Sequence, residues 1–366
     1  MLLSLIYIKI LAAKIIITKG IIVFKKLVSL IFITLFVTGC TVMPAKQVYS
    51  TPPTNKTINV YSLIPQDELD ALYPVSDSSA ATMQFGLVGA LVGAAIDTSI
   101  NKSNAEVAEE NLAGIRNELI GLEFDKLFAE EIGKKLHNQV NIGKVQTIKS
   151  VKELKKTLSP GETYLLLDTY YKMDIDFRTP FIVTSVTLNE KGKAKKKDTV
   201  FYKNTFTYFG LSLPAPEKSQ DFIDAEVDKI NNNFAQLSDK TKKSRKARIK
   251  RQKQLKKARE TSLSFDDANA ISAKSWSTEY KAALDSDLRG GIQQLFNIIA
   301  DDMADKTAPE SYAKSGTTLA GYPAYHKAIL VDESESRKVI RFSEGYRAGA
   351  VCSMPKEEST GKLLCL

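Results

Sequence analysis

The chain has 366 residues, 43% hydrophobic and 25% charged, enough apolar material for one large domain or two modest ones and too much for a wholly disordered chain. Its formal charge of +9 is not spread evenly. Five lysines and no acid precede residue 40, which leaves +4; Lys240 to Arg259 hold twelve Lys or Arg and no acid, which leaves −8 for everything else.

In chain order the first feature is an apolar leader. Lys25 and Lys26 stand before the run Leu27 to Val37, which closes on Val37-Thr38-Gly39-Cys40. A run of about eleven apolar residues behind a lysine pair has the length of a secretory h-region and falls short of the roughly 20 residues that span a bilayer. The run and its closing residues resemble the lipobox of a bacterial lipoprotein precursor. That resemblance implies cleavage after Gly39 and acyl chains on Cys40. With Thr41 next to the cysteine, it also implies an outer-membrane address facing the periplasm. One acyl chain gives only marginal binding, and two or more hold a protein lastingly. Residues 1–39 are then an export signal. Met1 to Phe24, interrupted by Lys9, Lys14 and Lys19, is longer than such a signal needs, and translation is expected to begin near Val23.

Residues 40–56 carry Pro44, Pro52 and Pro53 among Ser, Thr and Asn, the composition of a flexible tether. Order is expected from Thr57, with a strand to Leu63. In the small-residue segment Met83 to Ile100, Gly86, Gly89 and Gly93 recur at three and four and line one helix face, a pattern that resembles a glycine zipper. Its apolar core makes roughly 18 Å of helix, too short to span a membrane alone. Close packing against the next helix is the first expectation, and oligomerisation or membrane insertion the second. Leu112, Ile115, Leu119 and Leu122, then Phe124, Phe128, Ile132 and Leu136, predict one long amphipathic helix.

Thr163 to Phe177 alternates, with Leu165, Leu167, Tyr171 and Met173 opposite Asp168, Lys172 and Asp174, as a half-buried strand requires. Ile182–Leu188 and Val200–Tyr208 flank a lysine-rich tip, so the three segments predict an antiparallel meander with one wet face. The insertion 217–262 holds the basic block, including Lys242, Lys243, Arg245, Lys246, Arg248, Lys250, Arg251 and Lys253. Helix propensity there is good, but no core-facing stripe is visible and packing is not expected. It reads first as a solvated insertion and second as a contact for an anionic surface such as lipid headgroups or lipopolysaccharide. No aromatic residue supports base stacking, and nucleic acid is not expected as a partner. Trp276, Tyr280, Leu284, Leu288 and Ile292, continuing to Met303, predict a last helix docked on the sheet, with Gly290-Gly291 as its weak point.

After residue 308 the chain reads as an irregular segment leading to a C-terminal hairpin. With Cys40 acylated, Cys352 and Cys365 remain, and in an oxidising compartment they are expected to bond. Chemistry is sparse. Two histidines lack partners at metal-ligand spacing, and no nucleophile elbow, P-loop or dinucleotide fingerprint occurs. Asp301-Asp302 fits a helix-end or solvent role. No catalytic residue, metal or cofactor is expected. The chain thus reads as α+β, an antiparallel sheet packed on amphipathic helices in domain 57–308, with 309–366 as an irregular segment and disulfide hairpin. The functional expectation is a membrane-anchored envelope lipoprotein, noncatalytic, that binds or scaffolds an envelope protein partner. An oligomeric secretion- or pore-associated lipoprotein and an envelope glycan hydrolase are the alternatives.

Overall fold

The structure, a computed structural model, describes residues 44–48, 56–74, 99–193, 197–305, 307, 311, 317–318, 327–344 and 347–356. The chain divides into two units, Met1–Met43 and Pro44–Leu366. The second contains all the described residues.

Its frame is an 11-stranded mixed sheet, mostly antiparallel. The centre is the meander β5 (Thr163–Met173), β6 (Pro180–Glu190) and β7 (Thr199–Phe209), paired antiparallel along nearly their full lengths. The purely antiparallel sheet expected from sequence is corrected on both sides of this meander. β2 (Ile58–Leu63) lies parallel to both β5 and β4 (Ile142–Ile148), and β3 (Asp70–Ala71) continues the same edge of β5 in parallel. Parallel neighbours require crossovers. Helices α1 (Ser99–Glu118) and α2 (Phe124–Lys135) lie in the crossover from β2 to β4, and α3 (Val151–Thr157) in that from β4 to β5.

On the far side, β11 (Val351–Pro355) runs parallel to β7, followed by β10 (Arg337–Phe342), β9 (Lys327–Glu333) and β8 (Thr317–Thr318) in antiparallel order. The C-terminal strands therefore complete the main sheet, where a separate irregular segment with a hairpin was expected. β1 (Gln47–Val48) pairs with Lys203 and Tyr202 of β7, beside the place where β11 pairs with Phe206 to Tyr208. The expected tether over 40–56 is thus interrupted by an ordered strand.

The large core lies on one face of the sheet. Leu165, Leu167, Tyr171 and Met173 meet Leu112 and Ile115 of α1, Phe128 and Ile132 of α2, and the last two long helices. Where one helix was expected to run from Leu112 to Leu136, a break at Leu119–Leu122 separates α1 from α2, with Leu122 N–H bonded to Leu119 O. The C-terminal helix is likewise divided into α7 (Phe265–Ser277) and α8 (Lys281–Ala304). Between β7 and α7 the insertion contributes α4 (Gln220–Ala235), α5 (Asp239–Lys243) and α6 (Arg245–Ala258). Trp276, fully buried at the end of α7, donates from its indole N–H to Phe177 O at 3.0 Å and fixes that helix on the β5–β6 turn.

The opposite face is only partly wet. One cluster there joins Tyr61, Leu63, Ile148 and Tyr164 with Leu154 of α3, and another joins Phe181, Phe209, Ile340, Phe342 and Cys352.

The Gly290-Gly291 pair does not break α8, which is continuous from Lys281 to Ala304. A Cβ on Gly291 would lie 2.5 Å from Tyr208 Cε1, whereas one on Gly290 would meet nothing within 4 Å. Gly291 lets the helix lie close against β7; Gly290 carries only the entropic cost of glycine. Replacing Gly290→Ala is expected to raise the urea midpoint, by about 0.5–1 kcal/mol of stability. Gly291→Ala is expected to lower it by roughly 1–3 kcal/mol, because the Tyr208 ring must move.

Candidate functional site

α8 is held on β7 by buried polar groups near both ends, with apolar packing between them. Near its start, Asp287 accepts from Tyr208 Oη at 2.8 Å and Leu211 N–H at 3.0 Å. Burial pushes the Asp287 carboxyl above its ordinary range, opposed by these hydrogen bonds and by Arg337. The Arg337 guanidinium lies 4.1 Å from the Tyr208 ring centroid.

Near the end of α8, Asp302 is the centre of a larger cluster. It is 1% exposed. Tyr202 Oη donates at 2.5 Å and Asn204 Nδ2 at 2.9 Å, both from β7. Lys46 Nζ donates at 3.1 Å, and Arg341 of β10 contributes a further charge-assisted bond. Asp305 joins through Lys46 at 3.2 Å and Arg341 at 3.6 Å. Two cations thus face two carboxylates, the arrangement that makes burial of charge tolerable. Burial and the Asp302 charge together hold the Tyr202 phenol far above its usual range, so it stays a donor.

Lys46 has no exposed surface. Its N–H donates to Ala348 O at 3.0 Å. Gly349 makes this possible: its φ of +87° suits glycine, and a Cβ there would stand 2.2 Å from Lys46 Cβ. The Gly349 carbonyl accepts from Asn204 at 2.9 Å and from Arg341 at 3.3 Å. The segment just after residue 43, strand β7, the end of α8 and the β10–β11 connection therefore meet at one buried carboxylate.

A second buried acid lies on the other sheet face. Asp168 is 8% exposed between Leu63 of β2 and Ser185 of β6, and its Oδ1 has no hydrogen-bond partner. Burial raises its pKa to about 7.

The insertion forms a projecting arm. Lys218 N–H donates to Thr261 O at 2.8 Å, and Glu217 bridges Ser262, closing the base. α4 runs out, α5 turns the corner and α6 returns against α4. The less exposed positions of α6 are Ala247, Arg251, Leu255 and Ala258, and those of α4 are Ile223, Glu226, Val227, Ile230, Asn231 and Phe234. Arg251 donates to Asn231 Oδ1 at 2.7 Å with its guanidinium 4.9 Å from the Phe234 ring centroid. This corrects the expectation that the basic block does not pack. Its stripe is narrow and built partly from an arginine.

Of the residues singled out from sequence, Lys242, Lys243, Arg245, Lys246, Arg248, Lys250, Arg251 and Lys253 fall on this arm. Cys352 is buried in β11 opposite Ile340. Cys40, Cys365, Gly86, Gly89 and Gly93 lie outside the described residues. Asp302, read as a helix-end residue, is instead the hub, while its neighbour Asp301 is exposed. Its position three residues after Ile299, on the stripe Leu288–Leu295–Ile299, was the available signal. Nothing marked Lys46.

Among the described residues no helix is long and apolar enough to cross a membrane. None of their His, Cys, Asp and Glu side chains forms a group of three or more able to hold a metal ion. A small crevice lined by Leu213, Pro216, Ile271, Ser275 and Tyr280 lies where the arm leaves the body. No family model matches the chain, and no curated protein and no solved structure matches it either.

Asp302→Ala would leave Lys46, Tyr202, Asn204 and Arg341 without their shared acceptor, and equilibrium denaturation should record a loss of about 3–5 kcal/mol. Asp168 makes stability depend on pH. Its proton is held in the folded state up to about 7 but lost near 3.9 when unfolded. The stability it contributes is present below about pH 4 and drains away as pH rises through 7. Asp168→Asn should therefore stabilise by on the order of a few kcal/mol at pH 8 and have little effect near pH 4, as urea titrations at the two pH values would register.

Proposed function

We propose that this protein is a noncatalytic envelope lipoprotein, anchored through acylated Cys40 to the outer membrane and facing the periplasm, that binds or scaffolds an envelope protein partner. The observation that carries the reading is the run Val37-Thr38-Gly39-Cys40 behind its apolar stretch, and the burial of Lys46 six positions after Cys40 sets how short the tether would be. Only residues 41–43 lie between the lipidated cysteine and Pro44, the first described residue of the folded unit. At about 3.5 Å per residue the four Cα steps from Cys40 to Pro44 span roughly 14 Å at most. A lipid on Cys40 would therefore hold the body against the bilayer, with no long leash, and its sheet edge near β1 would face the headgroups.

The Cys352–Cys365 bridge belongs to the same reading, because it needs an oxidising compartment. Intact mass before and after reduction and alkylation should show one bridge.

The placement is tested by the mass of the N-terminal peptide of protein extracted from its native cells. The expected species begins at Cys40 and carries more than one acyl chain. An unmodified Cys40 thiol, or protein recovered without detergent, would remove the reading.

A further inference from the structure

We propose that the arm is an electrostatic docking device for an anionic phospholipid surface, with Ile249 of α6 as its apolar wedge. This deepens the membrane-bound reading above by naming a second point of membrane attachment and its chemistry.

The argument starts from the two faces of α6. Ala247, Arg251, Leu255 and Ala258 turn toward α4, as their lower exposure shows. At 100° per residue, Ile249 stands on the reverse side and is 42% exposed. Around it on that side are Arg245 and Lys246 one turn before, Lys253 one turn after and Lys256 beyond, all exposed. An exposed aliphatic ringed by cations on one helix face is the pattern of an interfacial helix, whose apolar residue enters the acyl boundary while its cations meet phosphates.

The extent of the charge decides the kind of partner. The 14 residues of α6 make a helix roughly 21 Å long. Their cations are spread along it and do not converge on a point, which fits a continuous anionic plane better than a single phosphate group. Leu237, at the outer end of α4, adds a second exposed aliphatic at 39%. Hydrocarbon can receive these side chains; a nucleic-acid backbone cannot, and no aromatic residue of α5 or α6 is available to stack on a base. Of the arm's acids, Glu217, Asp221, Asp224, Glu226, Asp228 and Glu260 lie toward the base, and Asp239 at the outer corner is paired with Lys242 at 3.5 Å, so the outer part carries little net charge to repel an anionic surface.

Ile249→Trp supplies the probe. The native Trp276 is fully buried, so quenching by brominated lipid reports on position 249 alone. The full-length protein is reconstituted into vesicles of brominated phosphatidylglycerol or brominated phosphatidylcholine. Quenching is expected to be several-fold stronger in the anionic vesicles. It should be lost in about 1 M salt, where the Debye length falls to roughly 3 Å. It should also be lost when Arg245, Lys246, Lys253 and Lys256 are all changed to Gln, since each cation near an anionic surface contributes a factor of about five in affinity. Unchanged far-ultraviolet dichroism would verify that the exposed substitutions leave α6 intact.

Equal quenching in the two lipids, or quenching unaffected by the four substitutions, would overturn the proposal. So would displacement of the probe from anionic vesicles by a stoichiometric duplex oligonucleotide, which would assign the arm to nucleic acid. Vesicle flotation in about 1 M salt separates this from the anchor: an acylated chain stays on the vesicle whether or not the arm engages.

Discussion

The fold depends on one buried carboxylate. Asp302 gathers donors from the N-terminal segment, from β7 and from β10 in a space with almost no solvent. Desolvating a carboxylate is costly unless every lone pair is used, and here the same requirement that makes the site expensive makes it specific. Lys46 and Arg341 both bond Asp302, so β1, β10 and the end of α8 are held together at one point. Gly349 completes the arrangement by allowing the Lys46 side chain to pass where any Cβ would obstruct it.

That constraint links the two ends of the folded unit. β1 and β11 share one edge of β7, the first at Tyr202–Lys203 and the second at Phe206–Tyr208. The strand nearest the N-terminal segment and the last described strand therefore stabilise each other through a common neighbour. Strain on residues before Pro44, such as a lipid anchor would apply, would be transmitted first to the Asp302 cluster and then to α8 and the centre of the sheet. The arm is mechanically separate, since it meets the body through a two-strand base at Glu217–Lys218 and Thr261–Ser262. Its own stability rests on a thin α4–α6 contact, which suits a device that folds against itself and leaves its cations outward.

The parts legible in the sequence were those where burial is periodic. β5 alternates because one of its faces lies under α1, α2 and α8, and the stripe from Leu284 to Met303 is regular because it falls on one continuous helix, α8, packed on the sheet. β4 was not legible: Gly143 and Lys144 are exposed and the strand sits at the sheet edge, so no alternation develops. Parallel pairing leaves no local trace, and the mixed character of the sheet follows from crossovers that period alone does not reveal. The division of α1 from α2 was hidden because apolar residues continue through the turn, although Ile120 within it is 83% exposed. For the candidate sites, the charge of the arm was evident but its partner helix was not. Asp302 could have been suspected as an acid on an apolar stripe. Lys46, a lysine among prolines, looked like tether because Asp302, Asp305 and Ala348, which bond it, lie 256 positions or more away.

Amide hydrogen exchange at residues 46–48 tests the central claim most directly. Lys46 N–H is bonded to Ala348 O, in the segment anchored beside Asp302, and β1 is paired to β7, so the Lys46 amide above all should exchange far more slowly than in an unstructured peptide. Exchange at the rate of an unstructured peptide, with β7 still protected, would mean that the chain beyond Cys40 is a free leash and that the Asp302 cluster does not hold it.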